Sequence, residues 1–214
     1  MKPSIAPSIL SFSHAELRGP VREMERSGAA WLHVDVMDGQ FVPPITFGDG
    51  IVKSLTGLCA LPIEAHLMTL TPERQVEAFA AAGCRRFIFH AEVAPHAHRV
   101  IQAIHAAGME AGIAINPGTS LSAVEEVEGL VELVLIMTVN PGYGGQKFIS
   151  EMLPKIRTLR GRNKSVTIEV DGGIHAETIA LARDAGANLF VVGSYLQEPP
   201  TIGEAFERLA AACA

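Results

Sequence analysis

Short apolar segments alternate with amphipathic segments along most of the chain. The apolar segments are typical of buried strands, and the segments between them carry apolar residues at helical spacing. Successive strands begin 22 to 33 residues apart, which is about the length of one strand–helix unit. Eight strands are predicted, beginning near Ser4, Trp31, Pro62, Arg86, Ala111, Leu133, Val166 and Leu189.

The segments between the strands carry helix start and stop signals. Thr71 and Pro72 resemble an N-cap and a first-turn proline, and Val76, Phe79 and Ala80 then share one helical face. A glycine just before the next strand permits the left-handed turn that ends a helix. Such glycines stand at Gly28, Gly83, Gly108 and Gly186.

Eight alternating units predict parallel strands joined by crossover helices. The units are short and similar in length, and polar residues gather at the carboxyl ends of many strands. Both features favour closure into an α/β fold of the TIM (β/α)₈-barrel type over an open doubly wound sheet. No linker or low-complexity segment divides the chain, so residues 1–214 are interpreted as one barrel domain.

The segment LHVDVM contains the strongest local chemistry. Alternate side chains of a strand share a face, so His33, Asp35 and Met37 point one way and the intervening apolar residues point the other. The apolar set suits the helix-facing outside of a barrel. A histidine and a carboxylate are then left inside, where an unpaired carboxylate would be costly.

Two further strands complete a set of metal ligands. In IEAHLM, Glu64, His66 and Met68 share a face, and the seventh strand ends at Asp171. Glu64 lies one pleat deeper and is interpreted as a group that orients a histidine. The candidate ligands of one divalent metal ion are His33, Asp35, His66 and Asp171. Such a mixed nitrogen and oxygen set suits Zn, Fe(II), Mn or Co better than calcium.

Glycine-rich segments follow the last three strands. VNPGYGGQKF follows the sixth strand, DGGIHAET the seventh and VGS the eighth, and many barrels bind phosphate in the loops after strands seven and eight. Lys147 is the only lysine or arginine in these segments, so backbone N–H groups and helix N-termini are expected to hold the phosphate. The candidate residues are Gly142, Tyr143, Gly144, Gly145, Gly172, Gly173, Gly193 and Ser194.

Methionines lie near three strand ends, at Met37, Met68 and Met137. Two interpretations stay open for them. They are flexible core filler, or they form an apolar collar that keeps water from a reactive intermediate.

The composition of the chain bears on its partners and on its cellular compartment. The net charge of −6 argues against a general nucleic-acid partner, and no apolar run reaches the length of a membrane span. Three cysteines without a CxxC pair fit a reducing compartment, so a cytoplasmic protein is expected.

IAPSIL, LHVDVMDGQFVP, EAHLM, VNPGYGGQ, EVDGGI and VGS together resemble the ribulose-phosphate 3-epimerases, in order along nearly the whole chain. The resemblance implies interconversion of D-ribulose 5-phosphate and D-xylulose 5-phosphate through an enediolate. It implies that His33, Asp35, His66 and Asp171 bind the metal, with Asp35 as proton acceptor and Asp171 as proton donor. Ser8 and His66 would contact substrate, the glycine segments would bind phosphate, and the methionines would form the collar.

Some positions depart from the family pattern. Gln40 stands where the family usually has histidine, Pro44 where it has asparagine, and Glu64 where it has aspartate. Gln40 and Pro44 bear on substrate choice, so an allulose 6-phosphate 3-epimerase is the nearest alternative. A barrel lyase would call for a lysine at a strand end, which is not seen here, and a non-catalytic sugar-phosphate binder is a third alternative. A homo-oligomer is expected, as such barrels commonly associate.

Overall fold

The computed structural model describes residues 3–213 and contains one sheet of eight parallel strands. Every strand begins within one residue of its predicted start. Their order around the sheet is β1-β8-β7-β6-β5-β4-β3-β2, without the reversal that a doubly wound sheet would show. The strands are β1 Ser4–Pro7, β2 Leu32–Met37, β3 Ile63–Met68, β4 Arg86–His90, β5 Glu110–Ile115, β6 Leu133–Met137, β7 Thr167–Asp171 and β8 Leu189–Val192.

The first and second strands close the barrel just beyond the end of β1. Ser8 pairs with His33 in a parallel bridge, and the N–H of Ile9 donates to the carbonyl oxygen of His33 at 3.3 Å. The predicted TIM barrel is therefore confirmed.

Seven α-helices surround the described part of the barrel. They are α1 Arg18–Arg26, α2 Asp49–Thr56, α3 Val76–Ala81, α4 Ala97–Ala106, α5 Leu153–Arg162, α6 Ala176–Ala185 and α7 Ile202–Ala212. The expectation of a helix in every crossover is wrong for the fifth unit. Between β5 and β6, the shortest predicted spacing, the chain forms only the 3₁₀ turn Leu121–Ala123.

The start of α3 also differs from the prediction. Pro72 opens a separate 3₁₀ turn, Pro72–Arg74, and the Thr71 side chain makes no capping hydrogen bond. The helix proper begins at Val76 and buries Val76 and Phe79, as expected. The four helix-ending glycines all adopt positive φ angles, between 81° and 116°, which confirms their predicted role.

The two faces of the strands pack into different surroundings. Leu32, Val34 and Val36 belong to the large core between barrel and helices. The barrel interior contains an apolar cluster to which β1, β4, β5, β6 and β8 contribute, with Ala6, Ile88, Ala114, Leu135 and Leu189 among its members. The buried polar residues of the interior come from β2, β3, β4 and β7. Among the described residues no helix is long and apolar enough to cross a membrane.

Candidate active site

Four side chains from three strands meet inside the carboxyl end of the barrel. His33 and Asp35 come from β2, His66 from β3 and Asp171 from the end of β7. One potential ligand atom from each lies within 4.8 Å of all the others. Asp35 Oδ1 is 3.5 Å from both His33 Nε2 and His66 Nδ1, and Asp171 Oδ2 is 3.6 Å from His66 Nδ1. The structure therefore brings together all four predicted ligands.

The two histidine nitrogens that face this cluster make no hydrogen bond with the described residues. His33 Nε2 and His66 Nδ1 are both fully buried, and a buried polar atom without a partner is unfavourable. Both point to where two carboxylates also point. The group of atoms fits a divalent cation, which would give all of them a partner.

The other nitrogen of His33 is already engaged. His33 Nδ1 lies 2.9 Å from Glu64 Oε1, and Glu64 Oε2 accepts a hydrogen bond of 2.7 Å from Arg86. Glu64 therefore holds the ring so that Nε2 faces the cluster, as the sequence predicts. Burial opposes it, but Asp35 and then Glu64 raise the pKa of His33 well above its usual value. A bound cation would displace the extra proton.

Asp35 and Asp171 have different ionisation behaviour. Burial opposes ionisation of Asp35, but His33 and His66 outweigh it and hold the pKa of Asp35 well below its usual range. Burial and the neighbouring charge of Asp35 raise the pKa of Asp171 to about 7. A bound cation would lower both pKa values. The pair nevertheless has one carboxylate that readily ionises and one that readily keeps a proton.

A third carboxyl, Glu169, lies below the cluster and was not predicted. It is fully buried, and neither of its oxygens has a hydrogen-bond partner among the described residues. Burial and then the charge of Glu64 raise its pKa well above the usual value. Alternation was an available signal, because Glu169 precedes Asp171 by two residues as Glu64 precedes His66. His33, Glu64 and Glu169 also approach one another, but Arg86 already supplies a cation there.

A cleft of about 550 Å³ opens above the cluster. Asp35 and Asp171 lie at its floor, and the buried side chains of Met37, Met68 and Met137 line it. Water near the carboxylates is therefore limited from this side, as the collar interpretation expects. Ser8 also lines the cleft, and its hydroxyl donates to Asp35 Oδ2 at 2.5 Å.

All the predicted phosphate-binding residues line this cleft: Gly142, Tyr143, Gly144, Gly145, Gly172, Gly173, Gly193 and Ser194. The loops after β6 and β7 touch backbone to backbone, since a Cβ on Gly173 would lie 2.5 Å from the nitrogen of Phe148. The Ser11 hydroxyl, which was not predicted as part of the site, lies between Gly144 and Gly193. The Tyr143 side chain stands at the rim and is 61% exposed.

The start of α6 was expected to contribute backbone N–H groups to phosphate binding. Side chains at this helix start accept from two of these N–H groups. His175 Nδ1 accepts from the N–H of Glu177, and Thr178 Oγ1 accepts from the N–H of His175. Two of the N–H groups at this helix N-terminus therefore already have partners, and phosphate binding by the glycine loops and the other N–H groups stays a prediction. Lys147 is exposed and does not line the cleft.

The fold and site define a class of protein, a TIM-barrel enzyme with a metal-compatible His₂Asp₂ cluster beneath a glycine-lined cleft. Residues 4–197 match the model of the "Ribulose-phosphate 3 epimerase family". The chain belongs to that family.

Relatives and a structural neighbour agree with this assignment. The chain is 47% identical to ribulose-phosphate 3-epimerase of Bacillus subtilis, with 89% of this chain and 90% of the relative aligned. It is 45% identical to the cytoplasmic isoform of Oryza sativa, over 96% of this chain and 92% of the relative. 3-Hexulose-6-phosphate synthase of Salmonella typhimurium has a similar fold, with a TM-score of 0.75, 14% identity and 98% coverage of both chains.

Proposed function

We propose that this enzyme interconverts D-ribulose 5-phosphate and D-xylulose 5-phosphate by moving a proton at C3. The observation that carries the proposal is the pair Asp35 and Asp171, which flank His66 at the floor of the cleft and differ in pKa. Epimerisation needs one acid–base group on each face of a planar intermediate. The pair supplies one ionised and one protonated carboxyl for that task. The names of the relatives support the pentulose phosphate as substrate.

In the forward direction, ionised Asp35 removes the C3 proton from one face of ribulose 5-phosphate. Protonated Asp171 delivers a proton to the opposite face, and the two carboxyls exchange roles in the reverse direction. Ser8 donates a hydrogen bond to Asp35 Oδ2, which holds that carboxylate in place as it gains and loses charge. The collar of Met37, Met68 and Met137 excludes water from the enediolate.

His33, Asp35, His66 and Asp171 would hold one divalent ion, for which Zn, Fe(II), Mn and Co are the candidates. When bound, such an ion supplies electrostatic stabilisation of the negative charge that develops beside the reacting carbon. The buried, unpartnered nitrogens of the two histidines support this assignment.

The test is solvent exchange in D₂O. With ribulose 5-phosphate we expect deuterium at C3 in step with formation of xylulose 5-phosphate, followed by NMR. A sugar-phosphate binder without catalysis would show neither. The same assay with allulose 6-phosphate tests whether Gln40 and Pro44 change the choice of substrate. We expect kcat/KM to be larger for ribulose 5-phosphate than for allulose 6-phosphate. A preference for the hexulose would reject the proposed substrate while leaving epimerisation intact.

The phosphate assignment gives a prediction at Gly173. An alanine there adds a Cβ 2.5 Å from the backbone nitrogen of Phe148, at a φ of 67° that disfavours side chains, so the loops after β6 and β7 must separate. Loss of one hydrogen bond to a charged group is worth about 1.5–3 kcal/mol, so we expect Gly173→Ala to raise KM about 10- to 100-fold. Steady-state kinetics would measure it.

Gly108→Ala is the matched control, since Gly108 also has a positive φ, 81°, but a Cβ there meets nothing within 4 Å. It carries the backbone strain without displacing the loops, and KM should stay at the wild-type value. An unchanged KM in Gly173→Ala would argue against phosphate binding by these loops.

We also infer homo-oligomeric assembly and a cytoplasmic location. Ile45 and Leu70 are 80% and 44% exposed in loops that Asp38 ties together by accepting from the N–H of Leu70. Exposed apolar residues on adjacent loops support a subunit contact. The three free cysteines support a reducing compartment. No nucleic-acid partner is proposed for a chain of net charge −6.

A further inference from the structure

A chain of hydrogen bonds leads outward from His66. His66 Nε2 lies 2.8 Å from His90 Nε2, and His90 Nδ1 lies 3.2 Å from Glu92 Oε2. The centroids of the two histidine rings are 5.0 Å apart, and the centroid of the Phe41 ring lies 4.7 Å from that of His90. Both histidines are fully buried, whereas the Glu92 side chain is 21% exposed. The chain therefore runs from the candidate metal ligand to the rim of the barrel.

The far end of this chain is fixed by a backbone N–H group, which can only donate. Glu92 Oε1 accepts from the backbone N–H of Asn116 at 2.7 Å and from the hydroxyl of Thr119 at 2.5 Å. Lys155, on α5, braces the same loop by donating to the carbonyl oxygens of Asn116, Pro117 and Thr119. Burial would raise the pKa of Glu92, but its hydrogen bonds, first that from His90, lower it to about 2. Glu92 is thus an ionised acceptor at the end of the chain.

With His90 neutral, these contacts set the direction of every bond. A carboxylate can only accept, so His90 Nδ1 carries a hydrogen and donates to Glu92. His90 Nε2 then accepts, and His66 Nε2 donates to it. His66 Nδ1, which faces Asp35 and Asp171, is left with a free lone pair. This is the tautomer that a metal ligand at Nδ1 requires.

We propose that Glu92, acting through His90, is a positioning residue that sets the tautomer of His66 for metal binding. The inference rests on the proposed metal site but assigns a role to residues outside it. His90 and Glu92 touch neither Asp35 nor Asp171 by any hydrogen bond or ion pair that the described residues make.

Glu92→Gln tests the direction of the chain with almost no change of shape. The amide must keep its oxygen towards the fixed N–H of Asn116, so its NH₂ group faces His90 Nδ1. His90 then accepts at Nδ1 and donates from Nε2, and His66 is forced to carry its hydrogen on Nδ1. We expect Kd for Zn²⁺ or Mn²⁺ to rise about 10- to 100-fold. His90→Phe, which keeps an aromatic ring but removes the acceptor, should weaken metal binding as well.

Glu132→Gln is the matched control. Glu132 Oε2 also accepts from a histidine, His105, and from a backbone N–H, that of Ala111, but neither partner reaches the cluster. Its metal Kd should stay within about twofold of wild type. Thermal unfolding of the metal-free variants checks that each is folded.

The second readout is the ¹⁵N NMR signature of His66 in the metal-free protein. We expect the hydrogen on Nε2 in wild type and in Glu132→Gln, and on Nδ1 in Glu92→Gln. An unchanged tautomer in Glu92→Gln overturns the inference, whatever the Kd, because any weaker binding would then be local damage. An unchanged Kd overturns it too. If wild type binds no metal, the proposed metal site fails, and the NMR experiment still decides the role of Glu92.

Discussion

Asp171→Asn is expected to slow epimerisation about 10³-fold and yet to keep one half of the reaction. Asp35 can still remove the C3 proton of ribulose 5-phosphate and return it to the same face, so deuterium should enter ribulose 5-phosphate without xylulose 5-phosphate appearing. Asp35→Asn should show the mirror behaviour, with exchange into xylulose 5-phosphate only. General acid–base groups contribute about 10²–10⁴-fold, so we expect kcat for epimerisation to fall about 10³-fold in each variant. NMR of both sugars in D₂O measures exchange and inversion together.

Two controls accompany this experiment. Asp38→Asn alters a carboxylate just after β2. Its oxygens accept from the backbone N–H groups of Gln40, Phe41 and Leu70, outside the His–Asp cluster, so the variant should epimerise at nearly the wild-type rate. Metal content must also be measured, because each asparagine keeps one oxygen but loses a charge. If both variants exchange the same single sugar, Asp35 and Asp171 do not serve opposite faces.

The sequence was sufficient for the barrel and for the floor of its site. Strand alternation placed His33 and Asp35 on the interior face of β2, and the structure has them there. The reason is that a parallel barrel strand is buried on both sides, so the only polar residues that it tolerates have interior partners. The same rule gave His66 and Asp171.

The deeper polar contacts did not follow from the sequence. Glu169 and Glu64 come from β7 and β3, which do not pair, and they approach each other in the barrel interior. The pattern of residues along one strand does not specify such a contact. His90 ends the apolar strand RFIFH, and Glu92 follows it in a turn, so each alone is an ordinary residue. Their proposed role depends on two contacts that are distant in sequence. His90 contacts His66 Nε2, and Glu92 accepts from the N–H of Asn116, each 24 residues away.

Local hydrogen bonds changed two helix starts. Pro72 suits a helix start, but Arg74 and Gln75 donate their N–H groups to the carbonyl oxygens of Thr71 and Pro72 in a 3₁₀ turn instead. At the start of α6, the N–H groups of Glu177 and His175 donate to the side chains of His175 and Thr178, which leaves fewer donors for an anion. Polar side chains near a helix start can thus accept from the backbone donors that the general rule leaves free.

Removal of the metal is expected to reduce epimerisation to the background rate, and His66→Ala should do the same by lowering metal affinity. His66 Nδ1 is a fully buried nitrogen without a partner among the described residues, and Asp35 and Asp171 both face it. An ion that binds only the folded state at about 1,000 times its Kd adds about 4 kcal/mol to the free energy of unfolding. For a chain of this size the melting temperature should rise by roughly 8–16 °C on adding metal to the chelated enzyme.

His66→Ala should show almost none of this rise, whereas His105→Ala, at a half-exposed histidine that pairs with Glu132 far from the cluster, should show all of it. Zn²⁺, Mn²⁺ and Co²⁺ should each restore exchange to the chelated enzyme, and Ca²⁺, which prefers six to eight oxygen ligands, should not. Full activity after chelation, with metal shown to be absent, would mean that Asp35 and Asp171 act without an ion. The buried nitrogens of His33 and His66 would then serve only to set the pKa values of the two carboxyls.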